Sequence, residues 1–490
     1  MLAALAMALA AMGGRASAAA GKDERWYAVM LQGERAGWMH EKQDATAEGN
    51  LRLRSEMRLS VGRGGMSISV EMLTESVETP KGAMVSMRSE QRLAAAPVVT
   101  TYRFTEEGVE VTEEQEGRSI TRTAPLPKGE WLAPIAAERY VEERVRAGAA
   151  EVAYSSIDAS GGLEPIAVKR TRKGGPEPVE VLGKVVPATP WAVTQAMYPG
   201  VESVDYLADD GSLVRGEVRL GAIALTVLAA DRETATAPAK APEMMVSTFV
   251  HPSRAIARPR ETGRAVYIVS MTEGELPDLP SGGAQRVERL DARSARVIVD
   301  AARAPAAPER EASDRVFREP SVMLDSADPA VRALAPPDDD AGGKPAQAER
   351  IRRGVRRHIT AKTLDVGFAT ASEVARTKQG DCTEHAVLLA AALRSAGIPS
   401  RVASGVIYVD QFAGGREVFG FHMWTQALLD GPDGRPRWVD LDATLPDATP
   451  FDAAHIAMVL SALPAEERMN SLAALAPMLG RLAIEVVETE

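Results

Sequence analysis

The sequence predicts an α+β protein in which a C-terminal region of mixed helices and strands follows large antiparallel β-rich segments. Apolar and polar residues alternate with a period of two over much of residues 25–231, which is typical of half-buried antiparallel strands. A helical run, residues 386–393, follows Cys382, the one cysteine of the chain. Two strand patterns separated by a turn sequence come after that helix. Together these patterns favour a β-rich scaffold ahead of a compact C-terminal core.

Composition limits the classes of function that the chain can have. A length of 490 residues predicts two or three domains. The hydrophobic content of 45% and the charged content of 26% are globular values. A net charge of −11 argues against a general nucleic-acid binder, because phosphate contact needs a basic surface. A single cysteine excludes an internal disulfide framework and a cysteine-rich metal site.

The N-terminus favours an exported protein. Residues 1–20 are predicted to be a signal peptide, with an apolar core over residues 2–12 and a small-residue cleavage pattern at residues 16–18. No positive charge precedes the core, which departs from the usual pattern. The core is too short to span a membrane, and no other stretch is long and apolar enough to do so. We therefore expect a periplasmic or extracellular protein without a transmembrane anchor.

Residues 21–234 are predicted to form a β-rich N-terminal domain. One helix interrupts the strands over residues 131–147, with Ile135, Tyr140 and Val141 as its expected buried residues. The arrangement is either a β-sandwich or a large curved sheet with a helix against it. Its role is either a scaffold for the C-terminal core or a binding surface for cell-envelope polymer, protein or lipid.

Residues 235–310 are predicted to contain a linker and a small β-rich segment. Residues 235–242 alternate alanine with proline, lysine and threonine, so they stiffen the chain without filling a core. Residues 245–300 again have strand-like patterns, and residues 303–310 form a second segment rich in alanine and proline.

Residues 311–490 are predicted to form the catalytic domain. An acidic segment at residues 338–343 is expected to be a solvated loop. A basic amphipathic helix is predicted over residues 348–359. Its arginines are expected to lie in solvent: Arg352, Arg353, Arg356 and Arg357.

The position of Cys382 predicts a catalytic nucleophile. The thiolate is the reactive form, and a free thiol has a pKa of about 8.5. A helix N-terminus carries partial positive charge and favours the anion. Gly380 lets the chain turn sharply and is expected to leave room for a substrate. The helical spacing predicts one buried face, formed by Ala386, Leu389, Ala390 and Leu393.

A thiol nucleophile needs a base, and the base needs an orienting acceptor. His422 lies at the start of the first of the two strand patterns, and the period-two rule places Trp438, Asp440 and Asp442 on one face of the second. A carboxylate there could hold the imidazole in the tautomer that accepts the thiol proton. His385 is a rival base one helical turn after the cysteine, but it would lie behind the thiol and ranks below His422.

These residues resemble the core of the transglutaminase-like superfamily, especially its bacterial exported members, over residues 312–490. The similarity is carried by Gly380-Asp381-Cys382-Thr383-Glu384-His385-Ala386, by residues 393–401, by His422-Met423-Trp424, and by Trp438 with Asp442-Ala443-Thr444. It implies a papain-like α+β core with the cysteine on a helix and the histidine and aspartate on adjacent strands.

The resemblance implies a Cys382–His422–Asp442 triad. The family's aspartate usually precedes Pro-Thr, so Asp442, before Ala-Thr, matches better than Asp440. Gln379 is a candidate supporting residue that could offer an amide to an oxyanion, although the backbone N–H of Cys382 is preferred. Trp424 is a second supporting candidate, either in the core or lining the cleft.

No metal ion or other cofactor is predicted. The remaining histidines lie in different segments without a metal-ligand grouping: His40, His251, His358 and His455.

Two classes of function remain open. In the first, an exported cysteine enzyme attacks an amide or peptide bond through an acyl-enzyme thioester, with a protein, a peptide or a cell-envelope polymer as substrate. Hydrolysis is favoured over protein cross-linking, because water competes with any amine unless a closed site excludes it. In the second, the same core is a catalytically silent binding module of the cell envelope.

Overall fold

The computed structural model describes residues 24–115, 118–196, 201–337, 342–364, 366–464 and 474–490. The predicted signal peptide and most of the predicted acidic loop lie outside these residues. The described chain divides into two compact units, one with residues 24–62 and 67–243, the other with residues 63–66 and 244–490. No helix among the described residues has the length and apolar character needed to cross a membrane. The predicted α+β class is confirmed.

The first unit is a single antiparallel sheet with one long helix. The strand order is β8-β7-β6-β5-β4-β3-β2-β1-β15-β14-β13-β12-β10-β9, and β11 pairs with β12. The elements are β1 (Glu24–Leu31), β2 (Glu34–Ala45), β3 (Leu51–Arg63), β4 (Met66–Glu78), β5 (Met84–Arg92), β6 (Val98–Phe104), β7 (Val109–Gln115), β8 (Arg118–Ala124), α1 (Pro134–Arg146), β9 (Glu151–Asp158), β10 (Gly162–Arg172), β11 (Glu177–Val181), β12 (Lys184–Gln195), β13 (Glu202–Leu207), β14 (Leu213–Leu220), β15 (Ile223–Ala230) and α2 (Arg232–Ala235).

The sequence left two arrangements open for this unit, and the structure has the large sheet with a helix against it rather than two packed sheets. Alternation decides which side chains enter the core, as in β3, where Leu53, Met57, Leu59 and Val61 are buried. Helix α1 is shorter than predicted and begins at a proline, which suits a first helical turn. Its residues Ile135 and Val141 are buried as expected, whereas Tyr140 is only partly buried.

The second unit contains two four-stranded antiparallel sheets, ordered β17-β18-β16-β23 and β21-β20-β19-β22. Its strands are β16 (Arg264–Met271), β17 (Gln285–Arg289), β18 (Ser294–Asp300), β19 (Ser400–Phe412), β20 (Gly415–Asp430), β21 (Pro436–Leu441), β22 (His455–Ser461) and β23 (Leu482–Thr489). Its α-helices are α3 (Glu309–Ser313), α4 (Pro329–Arg332), α5 (Gly343–His358), α6 (Ala371–Thr377) and α7 (Cys382–Ser395), and four short 3-10 helices are Val246–Thr248, Pro259–Glu261, Arg315–Phe317 and Ala476–Met478.

The small β-rich segment predicted within residues 235–310 is part of the same unit as the predicted catalytic domain. Strand β16 pairs with β23 near the end of the chain, from Met271 opposite Leu482 to Ala265 opposite Thr489. This pairing places the segment in one sheet with the last strand of the predicted catalytic domain.

Helix α7 is buried on all sides, which corrects the expectation of one buried face. Every residue from 384 to 394 is buried, and the helix packs against β19, β20, α4, α5 and α6. Residues 386–393 are continuously apolar, and a helix that is apolar all round belongs in a core. Helical spacing identifies four of these residues as one face, but the positions between them are apolar as well.

Candidate active site

Cys382 is the first residue of α7, and a capping box fixes the turn that carries it. The Asp381 side chain accepts a hydrogen bond from the Thr383 N–H at 2.8 Å, and Glu384 accepts from the Asp381 N–H at 2.9 Å. Arg63 also contributes, with its Nη2 atom 2.5 Å from Asp381 Oδ2. Cys382 itself is partly exposed. The sulfur is therefore held at a helix N-terminus and stays accessible from solvent.

Gly380 makes room for Glu384 rather than for a substrate, which corrects the expectation from sequence. Its φ of +145° is a conformation that residues with a side chain rarely adopt. A Cβ atom there would lie 2.3 Å from Glu384 Cβ and 2.4 Å from its Cγ. The glycine thus allows the Glu384 side chain to fold back over the start of the helix.

Glu384 is a buried bridge between two backbone segments. One carboxyl oxygen accepts from the Asp381 N–H and the other from the Ala369 N–H at 3.1 Å. Burial and the neighbouring Asp381 charge raise the pKa of Glu384 well above its usual value. The side chain therefore joins the loop at Ala369 to the turn that presents the cysteine.

Replacing Glu384 by alanine is expected to lower the free energy of unfolding by roughly 2–4 kcal/mol, because the buried Ala369 N–H and the partly buried Asp381 N–H lose their acceptor. Urea denaturation followed by circular dichroism measures the change. Thr383→Ala lies in the same turn and keeps both bonds, so it should cost less than about 1 kcal/mol. Equal stabilities for the two variants would show that this bridge does not hold the turn.

His422 connects the thiol to a carboxylate. It lies within β20, which begins at Gly415, and not at the start of a strand as the sequence predicts. Its Nε2 atom is 2.8 Å from Asp442 Oδ2, and Cys382 is close enough to influence the protonation of the imidazole. Burial disfavours the imidazolium, but the charges and hydrogen bonds of Asp442 and Cys382 outweigh it and raise the pKa of His422 to about 10. The arrangement therefore stabilises a protonated histidine beside the sulfur.

Asp442 is the carboxylate that contacts His422. It directly follows β21, and its Oδ1 atom accepts from the N–H and the Oγ1 hydroxyl of Thr444, both at 2.7 Å. Its Oδ2 atom faces His422. Burial alone would raise the pKa of Asp442, but His422 and His455 hold it well below the usual range. A buried carboxylate with a fixed orientation is what an imidazole partner needs.

Asp440, the second candidate, serves a different purpose. Its carboxylate accepts from Trp424 Nε1 at 2.7 Å, from Gln426 Nε2 at 2.8 Å and from the Ala284 N–H at 2.7 Å. A Cβ atom on Gly283 would lie 2.2 Å from its Oδ2, so that loop approaches closely. Asp440 therefore ties strands β20 and β21 to the loop before β17. Among the hydrogen bonds of the described residues, none joins Asp440 to His422.

Trp424 packs beside His422. It is 2% exposed, and its ring stacks near His422 with centroids 6.1 Å apart and planes inclined by 20°. Its indole N–H is already bonded to Asp440. Of the two alternatives from sequence, burial in the core describes this residue.

His455 also belongs to the site, although the sequence places it in a separate segment without a metal-ligand grouping. It begins β22, and its Nε2 atom is 3.3 Å from Asp442 Oδ2. Its Nδ1 atom is 3.0 Å from Asp452 Oδ1. Among the described residues, the ligand-type atoms of His422, Asp442 and His455 lie within 4.8 Å of one another. We interpret the three as a hydrogen-bonded network, because direct bonds already join their polar atoms.

A buried arginine holds the segment that carries Asp442. Arg352 of α5 is 4% exposed, which corrects the expectation that it lies in solvent. It donates to the carbonyl oxygens of Asp442 and Leu445, both at 3.1 Å, and of Asp447 at 3.2 Å. A guanidinium with several donors suits such a row of carbonyls. Arg352 thus fixes the backbone on which the orienting carboxylate depends.

His385 and Gln379, the other two candidates near Cys382 in the chain, have different surroundings. His385 Nδ1 contacts the Asp381 carbonyl oxygen at 2.5 Å, and its Nε2 is buried without a hydrogen-bond partner among the residues described. Burial lowers the pKa of His385, so a neutral imidazole bonded to its own helix is favoured. Gln379 is exposed and its backbone pairs with Ala361.

The C-terminal region matches a known family. Residues 331–443 match the model of the transglutaminase-like superfamily. The matched segment contains Cys382 and His422 and ends just after Asp442. No curated protein matches this chain.

Several solved structures have weak similarity to the chain. A β-barrel-like protein of a domain of unknown function from Brucella abortus is 13% identical, with a TM-score of 0.32, and covers 42% of this chain and 94% of its own. A Cytophaga hutchinsonii protein provisionally described as a cysteine protease is 12% identical, with a TM-score of 0.28, over 46% and 86%. The periplasmic domain of TgpA from Pseudomonas aeruginosa, bound to ethylmercury, is 15% identical, with a TM-score of 0.24, over 40% and 96%.

Proposed function

We propose that this region of the transglutaminase-like superfamily is the core of a cysteine enzyme that cleaves amide or peptide bonds. The observation that carries the proposal is the buried imidazole of His422, which lies 2.8 Å from the Asp442 carboxylate and close enough to Cys382 for the sulfur to favour its protonation. A nucleophile, a base and an orienting acceptor in that order form a complete acyl-transfer set. A binding module would have no need of this alignment.

Acylation follows from the positions of these groups. The Cys382 sulfur attacks the substrate carbonyl, and the proton that it gave up resides on His422. The amine, or ammonia from a carboxamide, departs with that proton as the thioester forms. The backbone N–H of Cys382 is among the first N–H groups of α7, which lack intrahelical acceptors. It is our candidate donor to the developing oxyanion.

Deacylation decides between hydrolysis and transfer. Water attacks the thioester, His422 accepts its proton, and the acid product leaves as the thiol is restored. Cys382 is partly exposed, so water can reach the bond, and a lysine amine must compete with it. We therefore favour hydrolysis of a protein, a peptide or a cell-envelope polymer over cross-linking.

Export belongs to the same proposal. The leader pattern of residues 1–20 supports a periplasmic or extracellular location. In an oxidising compartment, a thiol without a second cysteine in its chain cannot form an internal disulfide and remains available for catalysis.

Alkylation of Cys382 by iodoacetamide, measured against pH, tests the triad without a known substrate. Because His422 favours the ion pair, the wild-type protein should alkylate rapidly near about pH 6, where an ordinary thiol is almost wholly protonated. His422→Ala should alkylate at least about tenfold more slowly there.

His251→Ala is the matched control, because His251 is exposed and should leave the curve unchanged. An ordinary thiol curve for the wild type, identical in His422→Ala, would mean that the triad is not assembled. The silent binding module would then be the better account. Rapid low-pH alkylation that depends on His422 would justify a screen of amide substrates.

A further inference from the structure

His455 is placed so that both of its ring nitrogens face acceptors. Nε2 is 3.3 Å from Asp442 Oδ2, and Nδ1 is 3.0 Å from Asp452 Oδ1 and 3.1 Å from the Asp452 carbonyl oxygen. A neutral imidazole carries one proton, so one of its nitrogens would direct a lone pair at an oxygen. An imidazolium satisfies both sides.

The surroundings hold this ring in one orientation. His455 is 1% exposed and packs against Phe451, with centroids 4.4 Å apart, and against Trp424, at 5.2 Å. Asp452 is itself fixed, because its Oδ1 accepts from the Ala454 N–H at 3.0 Å and its Oδ2 pairs with Arg260 at 2.9 Å. The far side of His455 is therefore anchored independently of the catalytic groups.

The charge on His455 matters because the neighbouring groups of the site are also charged and buried. In the reactive state, the Cys382 thiolate and the Asp442 carboxylate carry two negative charges, and His422 carries one positive charge. Burial penalises an unbalanced charge strongly. A protonated His455 brings the sum for these four groups to zero, and Asp452 with Arg260 forms a second balanced pair.

We propose that His455 is a positioning residue of the triad, a buried cation that fixes the Asp442 carboxylate and balances its charge so that the thiolate–imidazolium state can form. The proposal rests on the proposed function and deepens it. His455 touches no reacting atom and acts through Asp442. Asp442 Oδ2 thus accepts two hydrogen bonds, one from the base and one from this second histidine.

The charged and titratable groups around this network set the direction of its pH dependence. Those that interact with His455, Asp442, Asp452 or Cys382 are His422, Asp440, Arg260, Tyr267, Lys362, His385 and Arg63. Removal of the His455 charge leaves the reactive state with a net negative charge, which favours return of the proton to the sulfur.

The alkylation curve of His455→Phe is therefore expected to move to higher pH by about one unit. On the rising part of the curve this shift slows alkylation about tenfold at a given pH. His251→Phe, the matched change at an exposed histidine, should superpose on the wild type. A folded His455→Phe protein with the wild-type curve would overturn the proposal, because the removal of a cation beside Asp442 would then have no effect on the thiol and its base.

A second measurement uses the wild-type protein, so its result does not depend on whether a variant folds. Histidine-selective ¹⁵N labelling and NMR should find both ring nitrogens of His455 protonated at neutral pH. A single protonated nitrogen would overturn the proposal. So would loss of Cys382 reactivity on chelation with EDTA and recovery with Zn²⁺, since His455 would then be a metal ligand.

These readouts separate the two proposals. Alkylation measures the reactivity of the thiol, and NMR measures the protonation of the imidazole. A shifted His455→Phe curve therefore supports the positioning role even where no amide substrate is turned over. Conversely, if His422→Ala leaves wild-type reactivity intact, the proposed function fails before His455 is tested.

Discussion

Cys382→Ala is expected to abolish amide cleavage, lowering kcat by at least about 10³–10⁴-fold while the protein remains folded. Cys382 supplies the one thiol of the chain, so no other cysteine can replace the attacking atom. Folding should survive because the turn is held by Asp381 and Glu384, whose hydrogen bonds do not involve the sulfur. Turnover of an amide substrate and the thermal unfolding temperature are the two measurements.

His422→Ala should cause a loss of similar size. Without the imidazole, no base accepts the thiol proton and no acid protonates the leaving amine. Thr383→Ala serves as the control beside the cysteine and should keep most of the activity. Turnover by Cys382→Ala at more than about one tenth of the wild-type rate would remove this cysteine from the mechanism.

Local patterns were enough to predict that the proposed triad residues lie near one another. A cysteine at a helix start, a histidine in a strand and a carboxylate near the end of the next strand are adjacent along the chain, and β20 pairs directly with β21. Period two places side chains of such neighbours on one face. The structure adds the distances that distinguish Asp442 from Asp440.

His455 was missed because its role depends on a contact that sequence does not display. It reaches Asp442 only because β22 lies beside β19, with His455 opposite Ile407. Its other partner, Asp452, is three residues earlier in the chain, where an acidic residue commonly lies on a surface. The pairing of non-adjacent strands creates the cluster, and no spacing rule records it.

Arg352 was misjudged for a related reason. Helical periodicity assigns arginines to solvent, but three carbonyl oxygens after β21 need donors, and a guanidinium supplies several. Gly380 is a turn glycine as the sequence predicts, yet the space that it leaves is filled by Glu384. In both cases the deciding partner is a buried polar group that hydrophobic patterns ignore.

Asp442→Asn is expected to reduce kcat by about 10³–10⁴-fold, and Asp440→Asn by far less. Asparagine preserves shape at residue 442 but removes the charge that orients His422 and stabilises its imidazolium. The pKa of Asp442 is lowered in the folded protein, so its ionisation contributes stability that is present above the unfolded pKa and lost on acidification. In Asp442→Asn, the free energy of unfolding should therefore decrease less on acidification than it does in the wild type.

Asp440→Asn should instead lower the free energy of unfolding by about 1–3 kcal/mol. Three donors converge on this carboxylate, and an asparagine NH₂ group would face at least one of them. Turnover and urea denaturation of both variants separate the two roles. If Asp440→Asn is the more damaging to kcat while Asp442→Asn chiefly loses stability, the orienting role belongs to Asp440, and the bond between His422 and Asp442 is structural.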